Sequence, residues 1–172
     1  MSGTHRLFYA LWPDAATAQA LARRQAGLGG RLTLEDDLHM TLAFLGDQAD
    51  ETLPVLRDVL HAQTLPEMAF VLDRFGYFSR LRLVWAGMAQ IPPALESLRR
   101  SLVSSLLQHG VEFRPETVFR PHITLARKTS FPDDQRFDPI SWNRWRFVLA
   151  RSCGLRTLPN GRKARYEILY SR

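Results

Sequence analysis

Apolar residues fall into short runs along the chain, and two spacings recur among them. Runs rich in aliphatic and aromatic residues and closed by turn residues predict strands, because such side chains pack well on a pleated surface. These runs cover residues 6–12, 39–45, 67–75, 81–88, 120–127, 145–152 and 163–170. Apolar residues three or four positions apart predict helices from about 14 to 27, from about 50, and from Pro92-Pro93 to Gly110.

The order of these elements indicates an internal duplication. Strand and helix occur in the first half and again in the second, so the chain is a mixed α+β protein whose halves look like versions of one unit. No low-complexity segment or long linker interrupts the 172 residues, so we expect one domain over residues 1–172. Asn160-Gly161, between the last two strand runs, predicts a tight hairpin turn.

Composition narrows the class of protein. Cys153 is the only cysteine, which excludes an intrachain disulfide and a cysteine-rich zinc site and favours a reducing compartment. No run approaches the roughly 20 apolar residues that span a bilayer. The first apolar run is too short for a signal peptide. We therefore expect a cytoplasmic protein that does not associate with membranes.

Positive charge is concentrated near the C-terminus. The formal net charge is +6, and residues 136–165 carry eight Arg or Lys against the single acidic residue Asp138. Such a segment can attract a phosphate-rich partner, or it can be the solvated outer face of strands. The composition does not choose between these two interpretations.

One short pattern occurs twice. The first copy is His39-Met40-Thr41-Leu42, and the second, 83 positions later, is His122-Ile123-Thr124-Leu125. The fraction of chains of this length that would contain two matches to His-x-Thr-Leu by chance is on the order of 10⁻⁴. Each copy lies in a predicted strand, one in each half, so the pattern marks equivalent positions of the duplicated unit.

Strand geometry gives the pattern a chemical meaning. Side chains alternate between two faces, so each histidine points the same way as the threonine two residues later. If both strands border one cleft, a neutral imidazole can take a proton from water that attacks phosphorus, and a protonated one can supply a proton to the leaving oxygen. The pattern predicts a phosphoesterase that needs no cofactor, with His39 and His122 as catalytic residues and Thr41 and Thr124 as phosphate ligands.

Other interpretations of the histidines stay open. A single strand histidine is usually structural, although duplication in matching surroundings favours a functional role. Zinc is a second alternative, because histidine is a common zinc ligand, but no third His, Cys or acidic residue recurs at ligand spacing near either copy. The residues alone do not decide which imidazole is the acid and which is the base.

These blocks resemble the two-histidine phosphoesterases, and among them the RNA 2′,3′-cyclic phosphodiesterases, also called 2′-5′ RNA ligase-like proteins. The resemblance rests on residues 6–13, 39–46, 119–127 and 161–170, and it covers nearly the whole chain. It implies a bilobal fold, each lobe a small antiparallel sheet with outer helices, and an active-site cleft between the lobes. It also implies an RNA substrate that ends in a 2′,3′-cyclic phosphate and a 2′-phosphate product.

The resemblance implies a role for individual residues as well. His122 would be the base towards water, and His39 the acid towards the ribose O3′. Arg127 would pair with the phosphate, as the guanidinium fork favours, and Phe44 would stack on the terminal base. Arg120 has the strand parity of His122 and is an additional candidate.

Phe44 and Arg127 raise a geometric requirement. Each lies five positions after its histidine, and strict alternation would turn it away from the cleft. A bulge or strand end at Ala43 and Ala126 is therefore required if these side chains are to reach the substrate.

Two further functions compete with hydrolysis of RNA ends. The same chemistry could act on a small cyclic nucleotide or ADP-ribose cyclic phosphate, and the cleft could bind an RNA end without turnover. The basic segment favours the longer substrate, and the histidine pair favours catalysis, since Arg or Lys would serve simple phosphate binding better. The site could also run in reverse and join a cyclic phosphate to a 5′-hydroxyl. We expect the protein to act as a monomer with no protein partner.

Overall fold

The computed structural model describes residues 3–172, and it has the mixed α+β architecture that the sequence predicts. The elements are β1 (Thr4–Pro13), α1 (Ala15–Arg24), β2 (Arg31–Leu32), β3 (Met40–Ala49), α2 (Leu53–Ala62), β4 (Phe70–Leu72), β5 (Arg74–Phe78), β6 (Leu83–Gly87), α3 (Pro93–Gln108), β7 (Ile123–Arg127), β8 (Ile140–Trp142), β9 (Trp145–Thr157) and β10 (Lys163–Ser171). Short 3₁₀ turns precede β3, α2 and β6.

Eight of these strands form one antiparallel sheet that consists of two halves. The first half has the order β10-β9-β1-β3, and the second has the order β7-β6-β5 with β2 also paired to β7. The halves join through one register pair, Met40 with Ile123, which directly follows the two histidines. The predicted bilobal fold is confirmed, and the two lobes meet at the duplicated motif.

The helices pack on one face of the sheet and form the main core with it. The apolar stripe predicted for α3 is buried along its whole length, at Leu95, Leu98, Leu102 and Leu106. Tyr9 of β1 points into this core, and its hydroxyl donates a hydrogen bond to Leu56 O at 2.6 Å. No helix within residues 3–172 combines the length and the apolarity needed to cross a bilayer.

The opposite face of the first half-sheet carries a smaller apolar cluster. Phe8, Ala10 and Trp12 of β1 meet neighbouring residues of β9 there, and Tyr166 and Ile168 of β10 pack against them. Because side chains two positions apart share a face, these even-numbered residues of β1 point away from the main core. This face borders the cleft between the lobes.

The elements differ from the sequence prediction mainly in their bounds. The strand predicted over residues 120–127 begins only at Ile123, because Pro121 has no N–H to donate to a neighbouring strand. The strand predicted over residues 67–75 is divided into β4 and β5, which belong to different sheets. The hairpin between β9 and β10 is confirmed, and Gly161 has the positive φ of +82° that its turn requires.

Candidate active site

A cavity of about 470 Å³ lies between the two halves of the sheet, and side chains from both motif copies line it. The residues that the sequence assigns to the site all contribute to its wall, namely His39, Thr41, Phe44, Arg120, His122, Thr124 and Arg127. The wall also includes Arg6, Phe8, Asp37, Phe78, Glu116 and Tyr166. The fold therefore brings the two distant copies of the motif to one cavity.

The two imidazoles are held by the same kind of hydrogen bond. His39 Nδ1 lies 2.6 Å from Asp37 O, and His122 Nδ1 lies 2.7 Å from Arg120 O. A carbonyl oxygen can only accept a hydrogen bond, so Nδ1 carries the proton in both rings and donates it. Nε2 is then the nitrogen available for proton exchange in each imidazole.

His39 lies among aromatic rings of the first half. Its ring stacks on Trp12 with a centroid distance of 4.7 Å and on Phe8 with a distance of 4.9 Å. The edge of Tyr166 meets it at 5.1 Å. Burial among these rings, together with the positive charges of His122 and Arg127, lowers the pKa of His39 to about 4, although its bond to the Asp37 carbonyl opposes this change.

His122 lies against a different pair of rings in the second half. Phe78 meets it edge to face at 5.0 Å, and Trp85 lies 6.0 Å away. Trp85 fits there because its neighbours on the sheet are glycines. A Cβ atom at Gly76 would lie 2.0 Å from the Trp85 ring, and one at Gly87 would lie 2.3 Å from it. These glycines therefore make room for the ring that supports His122.

Opposing influences act on the protonation of His122. Burial lowers its pKa, and the charge of Arg127 adds to that effect. The hydrogen bond to Arg120 O and the negative charge of Glu116 raise the pKa. Glu116 lines the cavity beside His122, so the second imidazole has an acidic neighbour that favours its protonated form.

The antiparallel pairing of β3 with β7 places the two motif copies side by side in opposite directions. Because β3 and β7 pair at Met40 and Ile123, the chain after one histidine runs beside the chain before the other. Thr41 and Thr124 therefore each lie beside the histidine of the other copy. A small side pocket lined by both Thr41 and His122 fits this arrangement. Each imidazole thus shares its part of the cavity with a hydroxyl group from the opposite strand.

Both motif strands contain the break that the positions of Phe44 and Arg127 require. The register between β1 and β3 skips Leu42, and the register between β6 and β7 skips Leu125. Each skipped residue lies three positions after its histidine, one position earlier than predicted. The bulges reverse the alternation of side chains, so Phe44 and Arg127 both reach the cavity.

Asp37 is a residue of this region that the sequence interpretation missed. Its side chain is 1% exposed, and its carboxylate accepts hydrogen bonds from Arg165 N at 2.8 Å and Tyr166 N at 3.2 Å. Burial raises the pKa of Asp37, while these two bonds lower it. Asp37 holds His39 through its carbonyl and fixes the strand that carries Tyr166. The only signal in the sequence was an acidic residue two positions before the motif histidine.

Arg6 was also missed. Its guanidinium lies over the ring of Phe44, 5.0 Å from the centroid, in a cation–π contact. Phe44 is 42% exposed, so this contact holds an otherwise solvated ring at the mouth of the cavity. The strand parity that Arg6 shares with Phe8 could have indicated that it faces the cleft.

The basic segment 136–165 lies outside this cavity. None of its eight Arg and Lys residues, all within the described part of the chain, contributes to the wall. Three of them pair with carboxylates, Arg136 with Asp134, Arg151 with Glu167, and Arg162 with both Glu35 and Asp36. Arg146, Arg156 and Arg162 line a second cavity instead.

A protein zinc site uses at least three side chains as ligands. Within residues 3–172, no group of three or more His, Cys, Asp or Glu side chains is placed to hold a metal ion.

The fold and the cavity together define a class of protein, the two-histidine phosphoesterases, in which paired strand motifs present two imidazoles to one cleft. The family model of the 2′-5′ RNA ligase superfamily matches residues 11–153, which is most of the chain. The chain belongs to the 2′-5′ RNA ligase superfamily.

Similar proteins and structures agree with this assignment. The RNA 2′,3′-cyclic phosphodiesterase of Escherichia coli K12 is 35% identical over 134 residues, which cover 76% of each chain. The Thermotoga maritima protein of the same name is 31% identical over 156 residues, covering 84% of this chain and 79% of the relative. The crystal structure of Escherichia coli LigT complexed with 3′-AMP superimposes with a TM-score of 0.81 at 30% identity, covering 99% of this chain and 98% of LigT.

Proposed function

We propose that this protein is an RNA 2′,3′-cyclic phosphodiesterase that converts a terminal cyclic phosphate into a 2′-phosphate. The observation that carries the proposal is the pair of imidazoles, each with Nδ1 bound to a carbonyl, that line one cavity with hydroxyl and guanidinium groups. The relatives bear the name of this activity. The chain acts as one two-lobed domain over residues 1–172, and as a monomer, because a single chain supplies every proposed site residue.

The reaction is an in-line displacement at phosphorus. His122 Nε2 takes a proton from water as the water oxygen forms its bond to phosphorus. The bond between phosphorus and the ribose O3′ breaks, and His39 Nε2 gives its proton to that oxygen. The phosphate stays on O2′ as a monoester. Because the leaving alkoxide is protonated as it forms, these steps are complete with the residues of the chain itself.

The low pKa of His39 sets the order of events. With a pKa of about 4, this imidazole is neutral near pH 7 before substrate binds. A cyclic phosphate carries negative charge, and its binding between the rings favours the imidazolium form. We infer that His39 takes up its proton together with the substrate. His39 is therefore protonated, and able to act as the acid, only in the complex with substrate.

The other side chains bind the phosphate and the terminal nucleoside. Arg127 pairs with non-bridging oxygens, because charge-assisted guanidinium bonds are the strongest available in this cavity. Thr41 and Thr124 donate hydroxyl bonds to the same oxygens, and Arg120 adds positive charge. Phe44, held by its cation–π contact, stacks on the terminal base without regard to base identity.

The same residues permit the reverse reaction. If a ribose 5′-hydroxyl replaces water, His122 removes the proton of that hydroxyl, and a 2′-5′ phosphodiester bond forms. Water is far more concentrated than RNA ends, so hydrolysis is the net direction. The single cysteine fits a reducing cytoplasm, where we place the protein.

The test is turnover of a defined RNA oligonucleotide that ends in a 2′,3′-cyclic phosphate. Phosphorus NMR of the product distinguishes a 2′-phosphate from a 3′-phosphate. We expect a 2′-phosphate, formed at the same rate with and without EDTA. A 3′-phosphate product would contradict the roles of the two histidines, and binding without any product would establish an RNA-end binding protein instead.

A further inference from the structure

A second cavity, of about 520 Å³, lies on the same sheet face as the active site. Phe8 of β1 and Ser152 of β9 line the active-site cavity, whereas Trp12 and Arg146 of the same strands line the second one. Tyr166 of β10 lines both. Phe8 and Trp12 are four residues apart on one face, which corresponds to about 13 Å along the strand. The two cavities are therefore neighbours that share a wall.

The wall of the second cavity carries three arginines and three carboxylates, and its ion pairs leave two of the arginines without a carboxylate partner. Its carboxylates all belong to ion pairs: Glu35 and Asp36 lie 3.0 and 2.9 Å from the Arg162 guanidinium, and Glu167 lies 2.6 Å from Arg151. Arg146 and Arg156 also line the cavity, and within residues 3–172 neither pairs with a carboxylate. Although the wall carries no net charge, the guanidinium groups of Arg146 and Arg156 can offer their donors to an anionic ligand.

One buried hydrogen-bond donor of Arg156 has no acceptor in the described part of the chain. Its Nη2 donates to Tyr166 O at 3.0 Å, but its buried Nε–H has no acceptor in the described part of the chain. A buried donor without an acceptor is costly, so the site favours a ligand that brings one. A phosphate oxygen is the acceptor that guanidinium groups bind most strongly.

The remaining surface of the cavity is aromatic and aliphatic. Trp12 and Tyr166 contribute aromatic rings, and Leu158, Ala164 and Ile168 contribute aliphatic groups. Such surfaces accept a sugar or a base without reading its identity, because every base has an apolar π-face. An anion site beside an apolar wall matches the chemistry of a nucleotide better than that of an isolated inorganic ion.

We propose that this second cavity binds the RNA strand on the 5′ side of its terminal nucleotide, with Arg146 and Arg156 on a backbone phosphate. The inference rests on the proposed function, because it concerns the same substrate. It gives part of the basic segment a role, and it makes an oligonucleotide, rather than a single cyclic nucleotide, the preferred substrate. Contacts to phosphate and to base faces make the preference independent of sequence.

The test compares two substrates with the same terminal nucleotide, a mononucleotide 2′,3′-cyclic phosphate and an oligonucleotide that ends in it. Arg146→Ala leaves the bond to Tyr166 O intact, and Arg156→Lys keeps the charge but not the guanidinium fork. We expect each change to raise KM for the oligonucleotide roughly tenfold, as the loss of a charge-assisted bond predicts. KM and kcat for the mononucleotide should stay at wild-type values. Arg57→Ala, an exposed arginine on α2, is the matched control.

Salt dependence provides a second measurement. Each phosphate contact to a single strand contributes about 0.7 to the slope of log affinity against log salt. The slope for the oligonucleotide should therefore fall by about that amount in Arg146→Ala. An unchanged slope, or equal losses on both substrates, would overturn the proposal. Failure of the wild-type protein to hydrolyse either substrate would instead contradict the proposed function, so the two failures are distinguishable.

Discussion

The two halves of the molecule present the same motif in different surroundings. Both histidines bond through Nδ1 to a carbonyl two residues earlier, both precede a bulge by three positions, and both lie against aromatic rings. The supports behind them differ. His39 follows a 3₁₀ turn that the buried Asp37 ties to β10. His122 follows a segment without regular structure, beside the exposed Glu116.

The motif fixes the geometry of each imidazole, whereas the residues around the imidazole set its protonation. Three aromatic rings and two positive charges hold His39 in its neutral form, whereas a carboxylate next to His122 opposes the effect of burial. Two similar imidazoles thus acquire different affinities for protons. In the free protein this difference is opposite to the proposed roles of His122 as base and His39 as acid, so the bound phosphate must favour the proton on His39.

The largest expected effect comes from removing either imidazole. His39→Ala and His122→Ala should each lower kcat by roughly 10²–10⁴-fold, the range for loss of a general acid or base. Steady-state turnover of a cyclic-phosphate oligonucleotide is the measurement, with thermal unfolding to check the fold. His109→Ala, at the exposed end of α3, serves as the matched control. If one variant kept near wild-type turnover, the halves would not share the chemistry.

The pKa values of the two histidines predict how kcat/KM depends on pH. The pKa of His39 is lowered to about 4, and that of His122 is lowered from its ordinary value of 6.5. Above both pKa values both rings are neutral and the acid is missing, and below both the base is missing. We therefore expect kcat/KM to be greatest between about pH 4 and a limit below pH 6.5, and to fall towards tenfold per unit above that limit. The maximum of kcat should lie at higher pH, because bound phosphate favours His39 protonation. A kcat/KM maximum above pH 7 would contradict this order.

Much of the site could be predicted because strand geometry is local. Alternation places each motif threonine on the face of its histidine, and the same rule showed that Phe44 and Arg127 needed a bulge. The structure contains that bulge in both strands, one residue earlier than expected. The need for a bulge could be predicted because the alternation of side chains depends only on the spacing of residues along one strand.

The supports of the site could not be predicted, because they connect distant parts of the chain. Asp37 bonds to β10 across 128 and 129 positions, and Tyr166 meets His39 across a similar distance. No spacing rule reveals such contacts. The same holds for the pKa of His39, since burial among rings from β1 and β10 exists only in the folded protein. The sequence predicted which side chains meet at the cavity but not their protonation.

Asp37→Asn tests the hydrogen bonds between Asp37 and β10, which distinguish the first half from the second. An asparagine has one oxygen where two N–H groups need acceptors, so one buried bond to β10 is lost. The expected result is a free energy of unfolding lower by about 1–3 kcal/mol and a kcat lower by roughly tenfold, with KM little changed. Imidazole nitrogen NMR should show His39, but not His122, losing its fixed Nδ1–H tautomer. Equal changes in both rings would show that Asp37 has only a general structural role.

Glu116→Gln is the counterpart in the second half. It removes the negative charge that raises the pKa of His122, so that pKa should fall further. Because the pKa of His122 is the higher of the two, it sets the pH at which kcat/KM begins to fall on the basic side, and that pH should become lower. The free energy of unfolding should stay within about 0.5 kcal/mol of wild type, as for most surface changes. Glu112→Gln on the same segment is the control. A change at the acidic end of the profile alone would indicate that Glu116 acts on His39 and would reverse the comparison.

The smallest expected effect comes from the ring behind His122. Gly76→Ala places a methyl group where the Trp85 ring now lies, since even Cβ would approach it to 2.0 Å. The ring must shift, which costs about 1–3 kcal/mol of stability as other overpacked sites do. The displacement reaches His122 only through its contact with Trp85, so kcat should fall only a few-fold. Gly29→Ala, where a Cβ would lie 3.4 Å from Thr129 Oγ1, is the control. NMR signals of His122 should shift and those of His39 should not, because Trp85 belongs to the second half alone. If the signals of both histidines shifted, the two halves would be coupled more strongly than their single register pair implies.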